Sequence, residues 1–362
     1  MKHIDEYRDS RLAGGLLQRI KERAEKIGRP VAFMEVCGSH TQAIGRYGIR
    51  SLLPPGIRLI SGPGCPVCVT SIRDVDAALH LAGRNNVTFA TFGDMMRVPG
   101  TGGANLQRLR AAGADIRVVS SAMDGVALAE AAGKREVLFM GIGFETTAPT
   151  VASMVQTARQ KRIANLSVFS VHKVIPPALR LLIADPDLDL DGFLCPGHVS
   201  MVIGSGAYAM LPESGQAAVI AGFEPIDILE GILMLLEQIE SGKREVAIQY
   251  GRAVRPEGNP RAMALMNEVF EAGDAEWRGL GKIGQSGLLL RGNYGEFDAL
   301  RRFSVPELVS EEVPGCACGD ILRGIREPAE CPLFRCLCTP ANAVGPCMVS
   351  SEGTCAARYR YG

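Results

Sequence analysis

Two cysteines separated by two residues sit in a stretch dense in glycine and proline, Gly62-Pro63-Gly64-Cys65-Pro66-Val67-Cys68. Such a pair can be half of a zinc site, a dithiol that cycles with its disulfide, or a turn that happens to contain sulfur. A zinc site needs four ligands, and the other cysteines nearby are single ones. A redox pair needs only its own sulfurs and a following helix, which VTSIRDVDAALHLAG supplies, so redox chemistry is favoured.

Sulfur is concentrated further along the chain as well. Of 11 cysteines in 362 residues, four are Cys37, Cys65, Cys68 and Cys195, and the rest fall between Cys316 and Cys355. An odd number cannot pair fully. The charged, helix-patterned N-terminus lacks the apolar core and cleavage site of a secretory signal, so a cytoplasmic location is expected, and a reducing compartment argues against a disulfide framework. Metal binding and redox chemistry lead. The segment 316–362 has no CxxC knuckle and no histidine, and its prolines flank cysteines (Cys331-Pro332, Pro346-Cys347). Soft, shielded thiolates of this kind suit an iron–sulfur cluster better than zinc. Seven cysteines exceed the four that a cluster needs, and spacing alone leaves the ligand set open.

Three further turns carry reactive groups. Cys37-Gly38-Ser39-His40 offers a thiol, a possible proton acceptor and a helix N-terminus that would lower the thiol pKa. Gly143-Phe144-Glu145-Thr146-Thr147 is an incomplete dinucleotide fingerprint, its third glycine replaced by threonine. Glu145 and Thr146 fit a helix cap and a pocket equally well. In Cys195-Pro196-Gly197-His198 the cysteine reads as core and the histidine as a site candidate. His80 lies on a proposed helix, and His3 precedes the fold.

The elements that must position these residues are legible as an α/β pattern. Apolar runs at 31–36, 57–61, 87–92, 116–120, 136–142, 166–171, 190–194 and 217–222 read as strands covered on both faces, alternating with amphipathic helices. Ligands of parallel sheets bind at the carboxyl ends of strands, which is where Cys37, Cys65, Glu145, His172 and Cys195 fall. The expected architecture is two Rossmann-like parallel-sheet halves facing a cleft, with a seam near the polar stretch 132–136. The divisions expected are an N-terminal helical segment (1–30), a first α/β domain (31–133), a second with an irregular tail (134–300) and a cysteine-rich iron–sulfur domain (301–362). Residues 242–315 read as a helix followed by glycine-punctuated loops and a short strand. Lys+Arg and Asp+Glu both number 39, so no basic field recommends nucleic acid or a membrane surface. The charge-free stretch 192–211 contains Pro196, His198 and several glycines and reads as strand, turn and helix, not a span.

CGSHT (37–41), GPGCPVC (62–68), GFETTAP (143–149), PGHVS (196–200) and the C-terminal series CGDILRG, CPLF, CTP and GPCMVSSEGTCAA together resemble the HypD family of hydrogenase maturation proteins, in order and over nearly the whole chain. Gln42 departs from the family pattern, which places a second histidine there. The resemblance implies a scaffold on which the iron centre of nickel–iron hydrogenases receives its cyanide and carbon monoxide ligands. It maps the iron-binding thiol onto Cys37, where Gly38 would leave room for a bulky complex, and the redox pair onto Cys65 and Cys68. His40, Glu145, Thr146 and His198 are the accompanying site candidates. It implies a [4Fe-4S] cluster on Cys316, Cys331, Cys338 and Cys355, which have the family spacing x14, x6, x16, and leaves Cys318, Cys336 and Cys347 as extras. Implied partners are a small HypC-like chaperone sharing the iron and a HypE-like cyanide-donating enzyme. The competing readings are an iron–sulfur-dependent protein disulfide reductase and a zinc-stabilised binding module.

Overall fold

A computed structural model describes residues 5–362; His3 lies outside the described residues. All eight expected strands form: β1 (Val31–Glu35), β2 (Ile57–Ser61), β3 (Val87–Thr91), β4 (Ile116–Val118), β5 (Glu136–Gly141), β6 (Leu166–Ser170), β7 (Gly192–Pro196) and β8 (Ala217–Ala221). Every residue of β1, β3, β7 and β8 is buried, as strands covered on both faces require. A ninth, β9 (Val246–Ile248), adds to the edge of β8.

The strands form two parallel sheets that are interleaved in the chain. One runs β2-β1-β7-β8-β9 and the other β4-β3-β5-β6. The chain lays down two strands of the first sheet, builds the whole second sheet, then returns to complete the first. The polar stretch expected as a seam therefore lies inside one sheet: Glu136 opens β5 and pairs with Val87 of β3. Its polarity has a local cause, because Gly133 (φ 62°) and Lys134 form an exposed helix-to-strand connection. The true crossings are residues 62–86, which carry Cys65 and Cys68, and residues 171–191.

Residues 242–315 hold more structure than the sequence suggests. After helix Pro260–Val269 comes an antiparallel hairpin, β10 (Phe270–Trp277) and β11 (Gly281–Leu290), with a register shift between Gly273 and Ala275. Gly273 faces Gly287 across the pair. Glycine weakens an isolated strand, which hides the hairpin from pattern reading. Trp277 anchors it, fully buried, with its indole N–H donating to Ser286 Oγ at 2.8 Å and its ring stacked on Phe144 at 5.9 Å.

The cysteine-rich tail contributes short helices, Cys318–Arg323 and Thr354–Tyr361, and no strand. Its buried residues Cys318, Ile321, Cys347, Met348 and Cys355 belong to the same apolar core as Cys65, Cys68, Met34 and Phe193. Among the described residues, no helix is long and apolar enough to cross a membrane.

Candidate functional site

The chain turns sharply after β1. Cys37, in extended backbone (φ −147°, ψ 124°), occupies the N-cap position of helix Gly38–Arg46, where the N–H groups of Ser39 and His40 point at its sulfur. The helix N-terminus favours the thiolate, as expected, but burial outweighs it. With Cys37 only 9% exposed and the carboxyl groups of Glu352 and Glu35 nearby, the thiol is pushed up to about 12. The expected lowered pKa is thus overturned. Nor is the space beside Gly38 open, since a Cβ there would meet Cβ of Glu352 at 2.5 Å. Glu352 accepts from Ser39 Oγ at 2.7 Å and so closes the C-terminal tail over the turn. Glu35 accepts from Thr41 Oγ1 at 2.6 Å and from the Cys37 N–H at 3.4 Å, and burial raises it to about 7. Neither carboxyl was singled out from sequence. The signal for Glu35 was an acid inside a strand buried on both faces.

The CxxC loop rests on this turn. The Gly38 N–H donates to the Gly64 carbonyl at 2.9 Å, and Gly64 lies so close to the backbone of Val36 and Cys37 that a Cβ would overlap both. Backbone cannot yield as a side-chain tip can. We therefore expect Gly64→Ala to lower stability by about 1–3 kcal/mol through overpacking, read from the urea midpoint; an unchanged midpoint would show that the two turns do not touch. One residue on, Cys65 caps helix Pro66–Val69, its sulfur accepting from the Cys68 N–H at 3.2 Å. Cys65 and Cys68 are joined as a disulfide, with Cα atoms 5.2 Å apart. The longer helix Ile72–Ala82 begins only after a second cap at Ser71.

On its far side the CxxC meets the tail. Cys68 Sγ lies 3.9 Å from the Pro346 carbonyl, and the next residue, Cys347, holds its sulfur 2.8 Å from that of Cys318. Hydrogen bonds from Cys316 and Cys347, helped by Arg278, outweigh burial and hold Cys318 below the ordinary thiol range. Cys347 also contacts Cys355, and Cys338 lies within electrostatic reach of Cys355 and Cys331. Cys338 Sγ accepts from the Val344 N–H at 3.4 Å, and a Cβ on Gly345 would meet Cys316 Sγ at 2.7 Å. Of the seven tail cysteines only Cys336 is exposed. Among the described residues no three His, Cys, Asp or Glu side chains converge as ligands of one ion would.

The remaining candidates divide. His40 and His198 come together about Phe223, their ring centroids 4.8 and 4.0 Å from its ring. Buried His40 donates from Nε2 to the Gly222 carbonyl at 2.9 Å, leaving Nδ1 unpartnered, and burial pushes it down to about 4. Glu145 is buried, accepts from the Ile175 N–H at 3.0 Å, has its second oxygen unpartnered, and is raised to about 7 by desolvation. Thr146 is exposed, and it is Thr147 that takes the cap position of helix Ala148–Gln160. Cys195 is fully buried inside β7 and its thiol is pushed up by burial alone, in keeping with a core role. Glu145, Cys195 and Cys37 all lie within electrostatic reach of the buried Tyr208 phenol. His172 bonds Ser170 Oγ at 3.0 Å and ring-packs on Phe270, away from the other two histidines.

Fold and site together define a parallel α/β protein whose CxxC and cysteine-rich tail are packed into one core, beside the turn that carries the strand-end thiol. The chain belongs to the HypD family: the family model described as HypD, hydrogenase formation hypA family, matches residues 11–362. It is 46% identical over 370 residues to the hydrogenase maturation factor HypD2 of Bradyrhizobium diazoefficiens, covering 100% of this chain and 97% of that relative. HypD of Rhizobium leguminosarum bv. viciae is likewise 46% identical over 370 residues, covering 100% and 96%. HypD of Escherichia coli (strain K12) is 44% identical over 368 residues, covering 100% and 98%.

Proposed function

We propose that this chain is a hydrogenase maturation factor that holds iron at Cys37 while its cyanide and carbon monoxide ligands are added, and that its two sulfur pairs carry electrons to that site. One observation supports this reading above the rest: Cys37, Cys65–Cys68 and Cys318/Cys347 form an unbroken sequence of contacts through Gly64 and Pro346. Iron is cargo here. Binding it displaces the proton that burial holds on Cys37. The partners of this reading are a HypC-like chaperone that shares the iron and a HypE-like cyanide donor, approaching from the side of His198.

Cys316, Cys331, Cys338 and Cys355 would hold a [4Fe-4S] cluster, and their chemistry fits it: largely buried thiols, with backbone N–H groups of Val344 and Gly345 directed at Cys338 sulfur. When bound, the cluster supplies one-electron chemistry. The chain's own step is thiol–disulfide exchange. A thiolate of the Cys318/Cys347 pair attacks the Cys65–Cys68 bond, a mixed disulfide forms, and its partner thiol displaces it. One S–S bond breaks and one forms, two electrons cross, and Cys65 and Cys68 are left as thiols. A protein disulfide reductase would need its dithiol open to a protein substrate, whereas Cys65 and Cys68 are 3% and 0% exposed.

Infrared spectra of the chain purified anaerobically with its partners test the scaffold directly, because bound cyanide and carbonyl absorb where protein does not. Differential alkylation across a redox series tests the sulfur step. Cys65 and Cys68 should become labelled together under reduction, and a tightly held zinc on the reduced pair would rule the exchange out.

A further inference from the structure

Between Cys331 and Cys338 the chain makes a tight loop that the steps above do not use. The Cys338 N–H donates to the Leu333 carbonyl at 2.8 Å and the Arg335 N–H to the Cys338 carbonyl at 3.2 Å, which closes the loop on itself. At its tip Arg335 lies in the left-handed region (φ 61°), uncommon for a residue with a side chain. Cys336 and Leu337 beside it are exposed, so burial does not hold the tip in place. Backbone in a sparsely populated region persists only where surrounding contacts over-determine it.

Those contacts come from the guanidinium of Arg335. It reaches to the end of helix Thr354–Tyr361, where Nη2 donates to the Gly362 carbonyl at 2.8 Å and lies 3.4 and 3.5 Å from those of Tyr359 and Arg358. The last carbonyls of a helix have no partner within it, and they form the negative end of its dipole. The same guanidinium carbon stands 5.5 Å from the ring centre of Phe334 and 5.7 Å from that of Tyr359, rings that meet edge to face at 6.2 Å. One side chain therefore ties the loop bearing Cys331 and Cys338 to the helix bearing Cys355. That helix in turn packs on helix Gly38–Arg46, since a Cβ on Gly45 would stand 3.1 Å from the Tyr361 ring.

We propose that Arg335 is a positioning residue for the tail, its guanidinium holding loop and helix together without metal, so that Cys331, Cys338 and Cys355 are already gathered when a cluster is built. The inference rests on the cluster reading above and adds to it what keeps three of the four thiols in place.

The experiment compares the full-length chain with Arg335→Asn and Arg335→Lys, each in metal-free and iron-loaded form. Asparagine accepts left-handed backbone but is too short to reach the helix, so it removes the tie and leaves the turn. In the metal-free Asn variant, amide protection in both 333–338 and 354–361 should fall by roughly fivefold. From the iron-loaded variant, bathophenanthroline disulfonate should withdraw iron roughly fivefold faster than from wild type. Lysine keeps the charge without the planar fork and should recover part of both losses, which keeps the test decisive if the Asn variant folds poorly. Arg360→Ala, exposed on the same helix and outside these contacts, should change neither. Faster exchange with unchanged iron release would overturn the positioning role, and unchanged exchange, or a metal-free wild type with no protection to lose, would overturn the tie itself. If the wild-type tail cysteines bind no iron at all, the cluster reading falls and takes the positioning role with it, whereas the metal-free exchange still decides whether Arg335 joins loop to helix.

Discussion

Replacing Cys37 with alanine should abolish the infrared bands of iron-bound cyanide and carbon monoxide and leave the cluster absorbance in place. In the proposed function the Cys37 thiol, at the end of β1, would be the donor, and no other cysteine shares its turn. The helix should survive, because Cys37 makes no side-chain cap bond. Stability should nonetheless fall by about 1 kcal/mol, because a side chain only 9% exposed leaves a cavity. Serine at the same position keeps the volume and supplies a good cap, so Cys37→Ser should recover stability without recovering the bands. The measurement is infrared spectroscopy beside urea denaturation on protein purified together with a HypC-like chaperone. Bands of normal intensity in Cys37→Ala would move the iron elsewhere; since Cys195 is sealed inside β7, exposed His198 would be the next donor to examine.

Serine at Cys316, Cys331, Cys338 or Cys355 should bleach the anaerobic protein completely, whereas serine at exposed Cys336 should leave its colour unchanged. The loss should reach beyond colour. Residues 316–362 have no strand to hold them, so the metal–ligand bonds would be folding energy for the tail. With the tail loosened, Glu352 leaves Gly38 and Pro346 leaves Cys68. Iron analysis should fall by four per chain, and amide exchange should accelerate across the helix Thr354–Tyr361. Serine at Cys318 or Cys347 should preserve absorbance while blocking the exchange. A variant set in which Cys318 is required for colour and Cys316 is dispensable would refute this ligand assignment.

Strands were readable because two-sided burial writes itself as apolar runs such as Val31–Met34 and Ala217–Ala221. Their partners were not. That β1 pairs with β7, with a whole sheet built in between, depends on contacts far apart in sequence, for which local patterning holds no information. The β10–β11 hairpin was hidden by glycines such as Gly273 and Gly287, whose missing Cβ atoms leave room for the cross-strand side chains of Leu289 and Ala275. Motif spacing singled out the residues of the sulfur chain but not their contacts: Cys318 and Cys347 stood as surplus until the fold placed them 2.8 Å apart. The sign of the Cys37 shift was missed because a helix N-terminus is visible in sequence and the depth of burial, with Glu352 arriving from the far end of the chain, is not.

The order in which the strands are laid down sets a timetable for synthesis. β1 pairs with β7, and the tail that seals the Cys37 turn through Glu352 comes last of all. At about 5–20 residues per second, a nascent chain holds Cys37 and the CxxC loop uncovered on the ribosome for roughly ten seconds or more before β7 emerges, and longer before the tail does. Closing so long a loop also slows folding after release. Three thiols that are buried in the finished protein are therefore the ones open longest while it is being made, and whatever oxidant, reductant or metal the nascent chain meets has its freest access to them then.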